Sequence, residues 1–565
     1  MKILLCSVFG PYGVDDEYGR RLNVMELFHN QVTREQGVFS LRMNHPSFGL
    51  YLIAENLEAP TVVLDFPSFD KFKKELENGY DYVGISFITS NFIKAKVMAE
   101  YIRERFPACK IILGGHGTGL PGIEEKIPCD YVCRGEGIKF FRELLGEENR
   151  ELKHPSMKSA LNRRIMGFPI AANAAVLIPG LGCVNACRFC ATSHHFQKSY
   201  LGFLNSGPAL FQTMSEIESK LSVNEFFVMD ENFLKNRIRA EELIEEMEKH
   251  NKYFHLGVFS SAETINAVGV EFLVRLGIDF VWIGVESKRE IYTKTRGVDL
   301  KATIKSLRNF GIQVLGSGIL FLEHHDRQTI FEDIEYLIGL ETDFVQFMEL
   351  GPLPGTALYE DYAAADKLRL DVPFEDWHGQ DKIWFKHEHF TRDETAEYTK
   401  LAFQMDYQKQ GPSLLRLADT SLRGYRTVRS HSDSRIRGLT ERLRKRCLDF
   451  YPVFPACRQS AENDKTRELL DFLELEYRKE FGAPSLAVRL GACVLSIFAY
   501  FERLKLKNKT FMYQPPTIRK EYRLNGSNTR SCRIHKQDDA QLRSAPLLSA
   551  HKAAVKEKSN LAAPN

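Results

Sequence analysis

From residue 171 onward, short apolar runs return at intervals, each followed by a polar stretch with helical spacing, and this alternation leaves the chain few architectures. The runs are "AANAAVLIPG" (171–180), "EFFVMDENF" (225–233), "YFHLGVFSS" (253–261), "FVWIGVES" (280–287), "QVLGSGILFL" (313–322) and "FVQFMELGPLPGT" (344–356). Between them, "RAEELIEEMEKH" and "GVEFLVRLG" carry apolar residues three and four apart, the helical period. Short apolar strands alternating with helices imply a parallel sheet covered by helices. Six such units predict an α/β barrel over residues 171–390 with its functional side chains at the strand C-termini.

The first 150 residues read as a second α/β unit. Strand candidates "KILLCSVF", "TVVLDF", "YVGISFIT", "KIILGGHG" and "YVCRGEG" are separated by helical stretches. They predict a doubly wound, Rossmann-like sheet whose ligands bind outside the strand C-termini. Glycines gather there, in "GGHGTGLPG" (Gly114 to Gly122) and "RGEG" (Arg134 to Gly137). Taken alone, such loops fit a phosphate site or a purely structural turn equally well. Residues 151–170 read as a linker, 391–525 as a helical C-terminal region, and 526–565, rich in Ser, Asn, Lys and Ala, as a disordered tail.

One segment carries explicit chemistry. "GCVNACRFC" sets Cys183, Cys187 and Cys190 on the loop after the first barrel run. A structural zinc takes four closed ligands in separated pairs, and Cys133 and Cys447 stand alone. A disulfide scaffold belongs to small secreted chains. This chain has 565 residues and 11 cysteines, and it opens on a strand, "MKILLCSVFG", without a signal peptide. The cysteines are therefore expected to be reduced and the location cytoplasmic. Three thiolates suit a cubic iron-sulfur cluster that keeps one iron free for a non-protein ligand.

CxxxCxxC with Phe189 before the last cysteine resembles the radical SAM enzymes. The order "GISFITSN", "GGHGT", "RGEG", then the cysteine motif, is similar to the cobalamin-binding branch of that family over residues 1 to about 390. The resemblance implies a cobalamin-binding-like first domain and a partial (β/α)6 barrel. It also implies a [4Fe-4S] cluster on Cys183, Cys187 and Cys190. S-adenosylmethionine would meet Phe189 of the motif, Asp230, Glu231 and Asn232 for its amino group, Ser260 (with Ser261) for its carboxylate, and Glu286 for its ribose. Gly316 and Gly318 would flank its adenine. "KTRG" (294–297) and "PLPGT" (352–356) match family loops. Cobalamin would lie on Gly114, Gly115, His116, Gly117, Thr118, Gly135, Glu136 and Gly137.

The first strand leads into "VFGPYGVDDEYG", without the Asp-x-His-x-x-Gly whose histidine binds cobalt from below in many cobalamin domains. That departure fits an open lower cobalt face or a domain that has lost the cofactor, and His116 is assigned to the loop or to contacts with the cobalamin tail. The implied reaction is cleavage of S-adenosylmethionine to a 5'-deoxyadenosyl radical, then cobalamin-dependent methylation of an unactivated carbon. Cobalamin-independent coupling or cyclisation, for example of lipid chains, is the alternative, and a non-catalytic cobalamin or cluster sensor is a third reading. Catalytic residues proper are not identified by sequence. His194, His195, His324 and His325 lie near the expected barrel mouth.

The expected partners are a small-molecule or lipid substrate and an electron donor such as flavodoxin or ferredoxin, with no nucleic acid. Residues 416–446 hold nine Arg and one Lys against three acids in a chain of net charge +2. Such a run suits phosphate or an anionic surface, though a solvated helical face is the commoner case. "LGACVLSIFAYF" (490–501) is too short to span a bilayer, which needs about twenty residues. It reads as a core helix or an in-plane membrane helix giving peripheral membrane contact.

Overall fold

A computed structural model of the chain describes residues 1–22, 24–231, 233–289, 297–507, 513–524 and 530–536. Two parallel sheets dominate. Ile3–Ser7, buried along its whole length, is the centre of the first. It pairs in parallel with Thr61–Asp65 on one side and Tyr82–Ser86 on the other, followed by Lys110–Gly114 and Tyr131–Val132. Helices Phe48–Glu55, Phe69–Leu76 and Phe92–Arg105 lie in the crossovers, and Gly137–Leu145 follows Tyr131–Val132. Strands covered on both faces must be apolar throughout, which is why they were visible as continuous runs.

The second sheet has six strands, all parallel: Ala174–Leu177, Glu225–Val228, His255–Ser260, Ile278–Glu286, Gln313–Leu320 and Phe344–Glu349. The first and last do not pair with each other, so the barrel is open. Most crossover helices start on a polar cap directly after a strand-end loop. Ser206, Asn236, Ser261, Asp299 and Thr356 each accept a backbone N–H from the first turn. Inside, Phe227, Phe259 and Trp282 form a row with centroids 5.5 and 5.2 Å apart. Phe28 and His45 border the end at the strand starts, against Phe344 and Phe227, with centroid separations of 5.7 and 6.1 Å.

The remainder differs from the sequence reading in three places. The expected linker contributes Leu161–Ile165 and Phe168–Pro169 to a small sheet with Arg42–Asn44. The C-terminal region is helical over Arg392–Gln410, Ser413–Val428, Thr440–Phe450, Val453–Ser460, Asp464–Phe481 and Leu486–Lys507. It then ends in a strand, Ile518–Leu524, which adds antiparallel to Thr61–Asp65 in the first sheet. Arg530–Lys536, expected to be disordered, pairs with that strand, while 537–565 lie outside the described residues.

Most of the arginine-rich run is ion-paired where it lies. Arg416 meets Asp406 at 2.5 Å in the interior, Arg426 meets Glu476 and Glu480 at 2.7 Å, and Arg442 and Arg446 share Asp279 at 2.6 and 2.8 Å. No helix of the described residues is long and apolar enough to cross a membrane.

Candidate functional site

The cysteine loop grows directly out of the first barrel strand. Gly182 turns the chain at φ 85°, and a Cβ there would lie 2.3 Å from the Ser199 carbonyl, so only glycine fits. Ser193 Oγ donates to the buried Cys183 carbonyl at 2.7 Å, and the Cys190 N–H donates to Cys187 at 3.1 Å. His194 Nδ1 lies 3.0 Å from the Cys190 carbonyl. A carbonyl only accepts, so the His194 proton sits on Nδ1, and its buried Nε2 has no partner among the described residues. Arg188 reaches Asp361 at 2.5 Å and its carbonyl accepts the Leu358 N–H at 3.0 Å, tying the loop to helix Ala357–Ala364. Phe189 packs, half-buried, on the barrel core.

Burial pushes the Cys190 thiol up; a Ser193 backbone N–H opposes this, while Cys187, Glu231 and Cys183 add to it. Three thiolates cannot gather here without a cationic partner, which a metal group supplies. None of the three is in a disulfide. The donor set fits an iron-sulfur cluster with one protein ligand missing.

The strand ends sort into two groups. Glu231 is half-buried and near enough for its charge to help raise the Cys190 thiol. Glu286 is buried and closes the fourth strand at φ 64°, across from Gly318 and just past a register shift after Gly284. A left-handed glutamate at a strand end costs about 1–3 kcal/mol and concentrates at functional sites. Ser260 is half-buried with its hydroxyl 3.3 Å from the Ser261 carbonyl.

The others have structural work. Asp230 is fully buried, with Arg239 Nη2 at 2.9 Å and Tyr200 Oη at 2.7 Å, so it braces the loop rather than offering an open carboxylate. Ser261 is a helix cap. Gly316 and Gly318 turn their Cβ side away from the barrel interior. A Cβ on Gly316 would meet Thr342 at 3.2 Å and one on Gly318 would meet Leu337 at 2.2 Å, so both face outward, where the covering elements press on the sheet. Asn232 and 294–296 of the "KTRG" loop lie outside the described residues.

Sequence reasoning missed the framework behind this mouth. His325 Nε2 bonds Asp333 Oδ2 at 3.0 Å while its Nδ1 accepts the Leu322 N–H at 3.1 Å; Asp333 Oδ1 also accepts the Lys288 N–H at 3.0 Å. The pair braces the loop after the fourth strand against the loop after the fifth. With His324 these groups place three ligand atoms within 4.8 Å of one another. His325 is fully committed, however, as both ring nitrogens are bonded. Glu349 ends the sixth strand, buried, with Thr399 at 2.9 Å, and burial pushes its carboxyl up to about 8. A lone acid in "FVQFMELG" was the available signal.

On the first sheet, most of the glycine-loop residues hold the loop itself. Gly115, at φ 84°, lies against the Phe87 carbonyl, Gly117 against the Phe87 ring and Gly137 against Ile53, with Cβ approaches of 2.6, 2.3 and 2.5 Å. Thr118 Oγ1 donates to Gly115 at 2.8 Å. Glu136 caps helix Gly137–Leu145, accepting from Ile138 and Lys139 at 2.5 and 2.7 Å. Gly114 is different: a Cβ there would meet nothing within 4 Å.

The two sheets present their C-terminal ends to each other. His116 and His195 have ring centroids 4.7 Å apart, a Cβ on Gly135 would sit 3.6 Å from the His195 carbonyl, and Gly119 lies against Pro354 of "PLPGT". Burial, then His195, holds His116 down to about 4. A separate cavity of about 640 Å³ opens at the opposite end of the barrel, among the strand starts Ala174, Glu225, His255, Gln313 and Phe344, and plays no part in this convergence.

No family model matches the chain. An uncharacterized methyltransferase of Pyrococcus horikoshii is 25% identical, the match covering 60% of this chain and 81% of that protein. Among solved structures, the radical S-adenosylmethionine methyltransferase TsrM from Kitasatospora setae, with tryptophan and the analogue aza-SAM bound, gives a TM-score of 0.47 at 13% identity over 71% of this chain and 88% of that one. The same enzyme with cobalamin and a [4Fe-4S] cluster gives 0.48 at 13% identity over 85% and 99%.

Proposed function

We propose that the chain is a radical SAM methyltransferase that uses cobalamin to methylate carbon in a small organic substrate. The observation that carries this is the meeting of the two strand-end surfaces at His116 and His195, immediately beside the three-cysteine loop. The methyltransferase relative supports group transfer as the kind of reaction. Cys183, Cys187 and Cys190 would hold the cluster, Glu231, Ser260 and Glu286 would hold S-adenosylmethionine, and Gly114, Gly135 and His116 would border cobalamin. When bound, these groups supply one-electron cleavage of S-adenosylmethionine and a methyl donor. The protein's own tasks are positioning and exclusion of water. Arg239 and Tyr200 fix Asp230, and so the neighbouring Glu231. The His325–Asp333 brace fixes the Ser287 turn that follows Glu286. An external electron donor of the flavodoxin or ferredoxin kind completes the system.

A second reading rests on the closed glycine loop. Because Gly115, Gly117, Thr118, Glu136 and Gly137 are engaged internally, the first sheet also suits an enzyme that couples or cyclises carbon chains without cobalamin. Anaerobic purification, cluster reconstitution and visible spectroscopy separate the two. About four irons with stoichiometric cobalamin is the result expected for methyl transfer. Iron without cobalamin, from cells supplied with the vitamin, would move the assignment to the second reading.

A further inference from the structure

Helix Leu486–Lys507 packs on the C-terminal core through Ala492, Leu495 and Ala499. Its opposite side presents Leu486, Leu490, Val494, Ile497, Phe501 and Leu504 to solvent, with Leu486 73% and Ile497 56% exposed. Their spacings of four and three place them in one stripe along the whole 22-residue helix. A run of exposed large apolar side chains this long marks an interaction surface.

The charges along the stripe say what kind of surface it meets. Arg489 and Lys507 fall on one edge and Lys505 on the other, all exposed. The helix has one acid, Glu502, which is buried on the core side and bonded to Tyr513 at 2.6 Å. A second copy of the helix would bring like charges together with no exposed acid on either to receive them. A sheet of anionic headgroups receives them all while the stripe enters the acyl boundary. The helix cannot cross a bilayer; an apolar face with cationic edges lies in the plane of one.

We propose that Leu486–Lys507 docks the protein on an anionic membrane surface, lying in the interface with its exposed stripe down. This rests on the helix alone and holds whichever reaction the barrel performs. Cys493 sits within the stripe, exposed, and gives a direct probe. In full-length protein with its cluster reconstituted, an environment-sensitive fluorophore on Cys493 should shift to the blue with phosphatidylcholine vesicles containing phosphatidylglycerol. The protein should float with those vesicles, and far less with phosphatidylcholine alone. The exposed double substitution Ile497→Glu, Phe501→Glu should weaken flotation about tenfold or more, while Leu475→Glu, exposed on the preceding helix, should leave it unchanged. Flotation that survives the double substitution would overturn the proposal. So would an absence of flotation together with a concentration-dependent dimer that the same substitutions dissolve, or binding gained only when residues after 536 are removed.

Discussion

The imidazoles of His116 and His195 stand 4.7 Å apart, one from the glycine loop of the first sheet and the other from the helix that follows Cys190. Through that pair the loop of one sheet rests on the loop of the other. Both rings are held below the usual histidine range by burial, His116 to about 4.

The pair predicts acid sensitivity. A histidine neutral in the fold to about 4 takes up its proton readily when unfolded, so between its ordinary value of 6.5 and about 4 the unfolded chain binds more protons. Stability contributed here is complete above 6.5 and is lost as pH falls toward 4. Thermal melts should drop between pH 7 and 5, and His116→Gln should flatten that part of the profile; an unchanged slope would refute the assignment.

Glu349 predicts the opposite sign. Its carboxyl ionises only near 8 in the fold and near 4.5 when unfolded, so its contribution is present below 4.5 and is lost as pH rises toward 8. Glu349→Gln should retain the Thr399 contact and raise the melting temperature at pH 8.5 relative to the parent, with little change at pH 5.

Asp230 should behave as a structural partner of Arg239. Removing the guanidinium leaves a buried carboxylate unpaired, a loss of about 3–5 kcal/mol, to be read by urea unfolding of Arg239→Ala. If Asp230 were free to meet a ligand, that substitution would spare stability and change only S-adenosylmethionine affinity.

Cys183→Ala, Cys187→Ala and Cys190→Ala should each reduce iron after reconstitution to a small fraction of the parent value and remove its charge-transfer absorbance. Gly114→Val should behave differently. With open space where its side chain would go, it should keep the melting temperature and lose cobalamin, whereas Gly117→Ala, driven into the Phe87 ring, should cost about 1–3 kcal/mol.

What could be read in the chain and what could not divide along physical lines. Strands buried on both faces have to be apolar throughout, so Ile3–Ser7 and the barrel strands announced themselves. The face a residue points to is another matter. Gly316 and Gly318 share a face by the two-residue period, but only the packed helices reveal that it is the outer one. Asp230 looked like a ligand because Arg239, its partner, enters from the next helix, where a basic residue is unremarkable. Ile518–Leu524 was hidden by its own charges. Lys520 lies over the Tyr51 and Tyr522 rings and Arg519 pairs with Glu75 at 2.7 Å, so no apolar run marks the strand.

That last strand also bears on biosynthesis. The edge of the first sheet at Thr61–Asp65 leaves the ribosome long before the segment that covers it, Ile518–Leu524. Until that segment is made, the first sheet carries an open strand edge, a template for unwanted pairing. A fragment ending near residue 150 should therefore aggregate, since it lacks this cover and also Met157, Val176, Ile178 and Tyr522, which complete one face of its core, and a nascent chain should stay bound to chaperones until Ile518–Leu524 has been made and can close the sheet.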